Sequence, residues 1–387
     1  MNLSRMISYG ARWLPTYAWQ RVVRRVPGDR VHLMIALADH FEPSIVPHDG
    51  QARAPFAEQE RRLERWCREY PRVADAWRDH EGRPFAHTYF YPAEQYDRTL
   101  IERLAEHCWR GYGEVEIHLH HSHDNAENTR RQLTEFRDAL ALQHRCLSYM
   151  DGVGLPRYAF VHGNFGLANS AGNHVCGVNS EMQILAETGC YADLTLPAAR
   201  FDRAQIGKIN SLYECALPLN IKAPHRRGRD LRRGRAPQTF PLMIQGPLML
   251  DFTSARWVGI ENSSLTGRNP ATLRRLKNWK KAGIAVIGRA DWIFIKVHCH
   301  SMDPTQDDVV LGEPMKRFLQ ELVEGAEERR EILHFVSARE MTNIILAACD
   351  GREGNPGEFR DYRLKRVCTD SPLEVTAGAE SQVLQKG

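Results

Sequence analysis

The 387-residue sequence contains no apolar segment long enough to cross a bilayer, since its longest apolar runs, such as Leu33–Ala38, are only as long as a strand. Its nine cysteines are scattered singly, with no C-x-x-C pair, which argues against a disulfide framework and indicates a reducing compartment. Residues 1–30 lack the continuous apolar core of a secretory signal. We therefore expect a cytoplasmic protein.

Lysine is scarce, because nine of the 52 basic residues are Lys and the other 43 are Arg. The net charge of +4 is too small to indicate a nucleic-acid partner. No G-x-G-x-x-G or Walker A element follows a predicted strand, which argues against the nucleotide-binding α/β folds.

Short β-like apolar runs alternate with helical patterns along most of the chain, which indicates an α/β protein. About eight strands separated by helices favour a single irregular (β/α)7–8 barrel over residues 30–350, with a doubly wound open sheet as the alternative. Residues 351–387 are expected to form a C-terminal extension that is partly disordered. The predicted strands are Val31–Ala38, Ala86–Phe90, Val115–His120, Tyr158–His162, Tyr191–Leu196, Leu242–Leu250, Trp292–His298 and Ile332–Val336.

The arm formed by residues 1–29 has an amphipathic pattern. Aromatic and valine side chains, among them Trp13, Trp19 and Val22, are interspersed with arginines. We expect a helix packed on the outside of the barrel. The alternative is contact with a membrane surface, which would place the protein peripherally at the inner face of the membrane.

Four histidines fall within six residues of the segment Gly113–Asn125, whose sequence is GEVEIHLHHSHDN. Alternate side chains of a strand share a face, so His118 and His120 are expected to point into the barrel. Two imidazoles spaced i, i+2 at the carboxyl end of a barrel strand are typical of metal ligands. His123 and Asp124 follow where the chain turns, and Asp124 lies four residues after His120. The segment therefore predicts a metal site.

Two other predicted strands end in similar chemistry. HLMIALADHFEP ends its apolar run in Asp39 and His40, and WIFIKVHCHSMD ends in an H-x-H formed by His298 and His300. Catalytic residues of a barrel gather at the carboxyl ends of its strands, so these residues are expected to share one site with the histidine-rich segment. A late histidine there would protonate a leaving group or complete the metal shell.

Weaker signals surround these motifs. FVHGNFG places His162 and Asn164 after a strand, next to glycines that allow close backbone approach to a ligand. Asp193 follows another strand, and GRADW contains Arg289. We expect these four residues to contact substrate.

The order of these motifs resembles that of the polysaccharide deacetylases. The strings FVHGN, CGVNSEMQILAETGCYADLTLPA, INSLY and WIFIKVHCHSM are similar to a divergent branch associated with surface-polysaccharide synthesis, over roughly residues 30–345. The resemblance implies an irregular (β/α)7-type barrel that removes acetyl groups from carbohydrate with the help of a metal ion. The carbohydrate would be an amino sugar or an acetylated glycan, free or linked to a lipid or a nucleotide.

The first family motif carries two adjacent aspartates, a base followed by a metal ligand. The resemblance therefore implies that Asp39 is the base and that His40, an acceptable Zn²⁺ ligand, binds the metal; alternatively, Asp39 itself binds the metal. The late family histidine, which protonates the leaving group, maps to His298 or His300.

The second family motif, H-[ST]-x-x-H, maps onto His120 and Asp124, which leaves His118 and His123 as rival ligands. The expected cofactor is a divalent metal ion, in the first instance Zn²⁺.

Two alternatives remain open. Phosphoesterases and amidohydrolase-like barrels also use H-x-H strands, and they usually bind two metal ions. The family's third motif, built on Arg and Pro, has no counterpart in VHGNFG, which favours a barrel that binds glycan without catalysis.

Overall fold

The computed structural model describes residues 3–25, 27–47, 49, 52–252, 258–306 and 308–366. The helices in these ranges are α1 Leu3–Val23, α2 Phe56–Ala74, α3 Arg98–Trp109, α4 Ala126–Asp138, α5 Glu181–Thr188, α6 Leu273–Ala282, α7 Asp308–Leu311, α8 Glu313–Glu324 and α9 Ala338–Cys349. The strands are β1 Val31–His40, β2 Thr88–Pro92, β3 Glu114–Leu119, β4 Ser148–Met150, β5 Pro156–His162, β6 Cys190–Asp193, β7 Leu212–Cys215, β8 Gly228–Asp230, β9 Leu242–Ile244, β10 Met249–Asp251, β11 Gly259–Glu261, β12 Trp292–Cys299, β13 Glu331–Phe335 and β14 Leu364–Arg366. The fold is mixed α/β, as predicted.

A mostly parallel sheet forms the centre of the molecule. Its strand order is β12-β1-β2-β3-β5-β6-β9-β7-β8, and every pair from β12 to β9 is parallel. β13 also pairs in parallel with the first half of β1. Helices join β1 to β2, β2 to β3, β3 to β5 and β5 to β6, whereas β7 and β8 lie between β6 and β9. Because the strands are parallel, their carboxyl ends lie along one edge.

The hydrogen-bonded ladder does not close into a barrel among the described residues. Two loops lie against β12 on the side where β9 would close the barrel. After β11, Ser264 forms a single parallel bridge with His298. After β9, a Cβ on Gly246 would collide with the carbonyl oxygen of Lys296. Only glycine allows this close backbone approach, so it keeps the loop after β9 against β12.

The two faces of the sheet carry different side chains, because successive residues of a strand point in opposite directions. In β1, Leu33, Ile35 and Leu37 belong to the core shared with helices α2, α3 and α8, whereas Met34 and Ala36 pack in the inner core. Val115 and Ile117 of β3 likewise face the helices.

Polar side chains cap the N-terminal ends of several helices. The carboxylate of Asp97 and the amide oxygen of Asn125 accept backbone N–H groups at the starts of α3 and α4, and Thr272 does so for α6. α9 begins with a capping box of Ser337 and Glu340, the motif that the sequence SARE predicts.

The two ends of the chain pack on this core as far as they are described. Tyr9, Trp13 and Tyr17 of α1 form a small apolar cluster with Ile209 and Leu248. Near the other end, β14 pairs with β4. The predicted extension 351–387 is therefore ordered over its first part, and residues 367–387 lie outside the described residues. Among the described helices, none combines the length and apolarity that crossing a bilayer requires.

We predict that a buried ion pair between Glu114 of β3 and Arg339 of α9 is a main support of the fold. The atoms Oε1 and Nη2 lie 2.7 Å apart, and both side chains are at most 8% exposed. Glu114→Gln should lower the free energy of unfolding by roughly 3–5 kcal/mol, because it leaves the guanidinium without its buried counter-charge. Chemical denaturation measures this loss. Glu135→Gln, which removes the exposed ion pair with Arg131, is the control and should cost no more than about 0.5 kcal/mol.

The same pair predicts a pH dependence. Burial raises the pKa of Glu114, but Arg339 outweighs it, so the pKa is lowered in the folded protein below its ordinary value of 4.5. The stabilisation is therefore complete above that ordinary value and is lost as the pH falls through the folded-state pKa. The stability difference between wild type and Glu114→Gln should be constant at neutral pH and shrink below about pH 4.5. A difference that grows on acidification would contradict this assignment.

Candidate metal centre

Four imidazoles gather where the inner faces of β1, β3 and β12 reach the carboxyl edge of the sheet. The ring of His40 lies 4.7 Å from that of His118, 4.4 Å from that of His300 and 6.2 Å from that of His298, measured between centroids. Glu42, two residues beyond β1, brings a carboxylate to the same point: its Oε1 atom is 3.5 Å from Nε2 of His118. The histidine-containing carboxyl ends of β1, β3 and β12 thus meet at one place.

The hydrogen bonds of His118 and His120 show which ring nitrogens carry lone pairs. Nδ1 of His118 lies 2.8 Å from the carbonyl oxygen of Val161, and Nδ1 of His120 lies 2.8 Å from Oε1 of Glu94. Both partners are acceptors, so both Nδ1 atoms carry a proton, and in the neutral form of each ring Nε2 carries a lone pair. A histidine that donates one N–H to a carbonyl or carboxylate is arranged for metal binding through its other nitrogen.

These lone pairs point at Glu42, which is itself an acceptor. Its Oε2 atom lies 3.8 Å from Nε2 of His120. Nε2 of His118 and Nδ1 of His40 are buried and have no hydrogen-bond partner among the described residues. Candidate ligand atoms of His40, Glu42 and His118 all lie within 4.8 Å of one another. Buried acceptors without a donor between them are stabilised by a cation, so this set fits a divalent metal ion.

The pKa values agree with a cation site. Burial, together with the nearby His300 and His118, holds the pKa of His40 well below its ordinary value, so this ring is neutral. Burial raises the pKa of Glu42, but the hydrogen bond and positive charge that protonated His118 and His120 would supply outweigh it and bring the pKa to about 2, so the carboxylate is ionised.

Burial lowers the pKa of His120, but Glu94 and Glu42 outweigh it and raise the pKa above its ordinary value, so a cation bound here would displace the second proton of that ring. Neutral imidazole and ionised carboxylate are the forms that bind metals. Two imidazoles with one carboxylate, as in the group of His40, Glu42 and His118, leave a fourth position open and are a ligand set typical of catalytic zinc.

Two clefts open onto the candidate centre. The first has a volume of about 720 Å³ and is lined by Glu42, His120 and Asn164, among others. The second, of about 570 Å³, is lined by His298 and by polar groups that include Asn262 and Ser264. His300 lines both clefts and is partly exposed, so it can meet a ligand from either side.

A second buried cluster lies beside the first and has different chemistry. His121 places Nδ1 3.1 Å from Oδ2 of Asp124 and Nε2 2.9 Å from Oε1 of Glu181. Burial lowers the pKa of His121, but Glu181 and Asp124 outweigh it and raise the pKa to about 12. The ring is therefore an imidazolium that donates to both carboxylates. His162 and Cys176 complete this cluster, with ligand atoms within 4.8 Å of the others.

His162 does not present a free lone pair to that cluster. Its Nδ1 atom accepts a hydrogen bond from the backbone N–H of Asn164 at 3.1 Å, so its proton is on Nε2, 3.7 Å from Oε1 of Glu181. The amide of Asn164 donates in turn to the carbonyl oxygen of His121. The carboxylate charge of this cluster is thus compensated by protonated histidine without a metal ion. Its hydrogen bonds also hold the loop that follows His120 in place.

Asp39, expected as base or ligand, does not join the candidate centre. It is adjacent to His40 in β1 and therefore projects from the opposite face of the sheet. Its carboxylate accepts hydrogen bonds from the backbone N–H of Ser301 at 2.9 Å, from the hydroxyl of Ser301 and from Nε2 of His87 at 2.9 Å. Cys299 contacts it at 3.2 Å. The side chain is completely buried, so it braces the ends of β1 and β12.

Two expected ligands from the turn after β3 are also placed elsewhere. Asp124 is used by His121 and by the hydroxyl of Thr129, since it lies at the start of α4 and not over His120. His123 is exposed, in a left-handed backbone conformation with φ of 51°, which turns it away from the inner face. Of the five expected ligands, the structure brings together His40, His118 and His120.

The expected substrate contacts divide in the same way. Asn164 lines the first cleft, whereas His162 is buried beneath it. Asp193 is buried and bonds to the backbone and hydroxyl of Thr195. Arg289 precedes β12, so it lies at the amino edge of the sheet, where its guanidinium covers the ring of Trp292 at 4.2 Å. A residue at that edge cannot reach a site at the carboxyl edge.

Glu42 and Glu94 were not among the expected site residues. Glu42 continues the alternation of β1 beyond His40, so the i, i+2 spacing that selected His118 and His120 would also have selected it. Glu94 lies in a short 3₁₀ segment after β2, and no local pattern marks it. Gly163 also shapes the site: a Cβ there would collide with the ring of His120, so glycine leaves room for that candidate ligand.

No protein-family model matches the chain, and no curated protein matches it. The assignment of the site therefore depends on its geometry.

We predict that the purified protein binds one divalent ion through His40, Glu42, His118 and His120. Removing a residue that merely orients a ligand costs roughly 10–100-fold in metal affinity, so His118→Ala should cost at least as much. Titration with Zn²⁺ followed by calorimetry measures this change. His123→Ala, which removes an exposed imidazole from the same segment, is the matched control and should bind normally. Equal loss in both variants would contradict the ligand set.

We predict that Asp39 stabilises the fold and takes no part in proton transfer. Asp39→Asn should lower the free energy of unfolding by about 1–3 kcal/mol, because the neutral amide replaces a buried acceptor and leaves donors unpaired. Denaturant unfolding measures this loss, and calorimetry should still find one bound ion. Unchanged stability combined with lost activity would instead identify Asp39 as the base.

Proposed function

We propose that the protein is a metal-dependent hydrolase that removes acetyl groups from a carbohydrate. The observation that carries the hydrolase assignment is the convergence of buried lone pairs from His118, His120 and Glu42 beside an open cleft. The carbohydrate substrate comes from the resemblance of the strand-end motifs to polysaccharide deacetylases. Clefts lined by amide, hydroxyl and guanidinium groups suit a ligand with many hydroxyls.

Each residue of the centre has a definite task in this reaction. When bound, a divalent ion supplies Lewis-acid chemistry, which polarises a carbonyl group and lowers the pKa of a water molecule. His40, Glu42, His118 and His120 would hold it, and Glu94 fixes the orientation of the His120 ring through the hydrogen bond to Nδ1. The open side of this set faces the clefts, so the acetyl group would enter there.

His300 is placed for proton transfer. Its ring lies 4.4 Å from that of His40, it is partly exposed, and it lines both clefts. An imidazole in this position would accept the proton of the attacking water and then deliver it to the departing sugar nitrogen or oxygen. His298, on the same face of β12, is buried beneath it, and burial together with Lys296 holds the pKa of His298 well below its ordinary value. His298 is therefore neutral and supports the cluster.

The binuclear hydrolases remain the competing assignment, and metal counting separates the two. A second ion would need ligands close to the first set, and the neighbouring cluster of His121, His162, Cys176 and Glu181 is the only such group among the described residues. Its imidazolium and its hydrogen-bonded His162 favour one ion per chain. Two tightly bound ions per chain would favour a binuclear enzyme.

We predict that the metal-loaded protein releases acetate from acetylated amino sugars or acetylated oligosaccharides and that a chelator abolishes this release. His300→Ala should lower kcat by about 10²–10⁴-fold, as expected for loss of a proton-transfer group, while it still binds one ion. Acetate release and metal content are measured on the same samples, with His123→Ala as the control. Metal-dependent binding of glycan without acetate release would identify a non-catalytic glycan-binding protein.

A further inference from the structure

We propose that the outer face of α1 docks the protein onto an anionic lipid bilayer. The inference is independent of the reaction, because α1 contributes no residue to the candidate centre. The observation behind it is an exposed apolar stripe, bordered by arginines, on a helix whose opposite face is already buried.

The inner face of α1 is fixed to the body of the protein. Tyr9, Trp13 and Tyr17 are at most 9% exposed and pack in one apolar cluster. Nε2 of Gln20 donates to the carbonyl oxygen of Ile209 at 2.7 Å, just beyond these rings. The helix is therefore held in place, and only its outer face is available to a partner.

The outer face is apolar. Trp19 is 66% exposed, Val22 is 77% exposed and Ile7 is 62% exposed. At 3.6 residues per turn these side chains fall on the side opposite Tyr9 and Trp13, and the smaller exposed residues Ala11, Pro15 and Ala18 lie between them. Large apolar side chains gathered on one exposed face indicate an interaction surface, whereas scattered ones do not.

The borders of this stripe are positively charged. Arg12 lies along one edge and Arg21 along the other; both are exposed, although Nη1 of each donates to a backbone carbonyl of the body and leaves the other N–H groups for a partner. Arg25, just beyond the end of the helix, is also exposed. Residues 1–28 contain five arginines and no acidic residue. A tryptophan-containing apolar face bordered by arginines matches the interface of an anionic bilayer, where the apolar residues enter the acyl region and the guanidinium groups meet the phosphates.

The same charges disfavour a second copy of the chain as the partner. Two α1 stripes packed together would bring arginine edges against arginine edges, with no acid on either helix to compensate. A neutral lipid surface would leave the arginines without counter-charges. Anionic lipid satisfies both the apolar stripe and its basic borders.

The test is sedimentation of the full-length protein with vesicles. We expect binding to vesicles of phosphatidylglycerol and phosphatidylcholine in equal parts, and much weaker binding to phosphatidylcholine alone. Binding should weaken when the ionic strength rises from about 0.05 M to about 0.5 M, because salt screens the arginines. Absence of binding to the anionic vesicles at low salt would overturn the proposal.

Matched variants distinguish binding through the outer face of α1 from non-specific binding by exposed apolar side chains elsewhere. Trp19→Ser with Val22→Ser should lower the partition coefficient by at least about tenfold, because two large side chains no longer enter the bilayer. The control, Leu142→Ser with Val153→Ser, changes two other exposed apolar side chains and should bind as wild type. Equal loss in both double variants, or loss in neither, would overturn the proposal.

The competing occupant has its own readout. Without lipid, light scattering of wild type should give a molecular mass that does not rise with protein concentration, because the outer face of α1 does not mediate self-association. A dimer that Trp19→Ser with Val22→Ser dissociates and that the control retains would show that the stripe pairs with a second copy, and would overturn the lipid assignment. Thermal melting of both double variants should match wild type, since every changed side chain is exposed.

Discussion

The buried carboxylate of Asp39 holds together the two strands on which the candidate centre depends. β1 and β12 pair in parallel over eight residues, and the pairing ends at Asp39 opposite Cys299. Beyond that point His40 still pairs with Phe90 of β2, but the ladder between β1 and β12 no longer fixes the separation of the two chains. Asp39 takes over by accepting the backbone N–H and the hydroxyl of Ser301, which lies next to His300. The distance between His40 and His300 is therefore set by a contact on the other face of the sheet.

Protonation distinguishes the two histidine clusters more clearly than composition does. In the first, Nδ1 of His118 and Nδ1 of His120 donate to a carbonyl and a carboxylate outside the cluster, so the neutral rings turn their lone pairs toward Glu42. In the second, both N–H groups of His121 donate hydrogen bonds within the cluster, one to each of two carboxylates. The first cluster is suited to an added metal cation, whereas the second already contains a cation, the imidazolium of His121. The direction of each Nδ1–H bond decides which situation a buried histidine is in.

Much of the fold could be predicted from the sequence, because long apolar runs are strong signals. Each of the eight predicted strands overlaps an observed one, and the capping box at Ser337 forms as expected. The short strands β4, β7, β8, β11 and β14 carry too little periodicity to be seen. The gap between β9 and β12 is also invisible in the sequence, since it depends on how the loop containing Gly246 lies against β12.

The alternation of side chains along a strand explains which of the expected site residues come together in the structure and which do not. The rule that aimed His118 and His120 inward would have aimed Asp39 outward and added Glu42, because the two differ from His40 by one and two positions. Arg289 can be rejected as a substrate contact only when it is known to lie at the amino edge of the sheet. Glu94 required a contact across two loops, which no local pattern records.

The proposed lipid-facing helix and the proposed reaction cleft share one loop. Arg200 lines the second cleft, and the next residue, Phe201, packs its ring 5.3 Å from that of Tyr9 on the inner face of α1. Arg12 of α1 donates to the carbonyl oxygens of Arg203 and Gln205 in the same loop. The helix thus rests on the wall of the cleft, and a bilayer under its outer face would lie one helix diameter from that wall. Such an arrangement suits a carbohydrate presented at a membrane surface, because the glycan would reach the clefts while its anchor stays in the lipid.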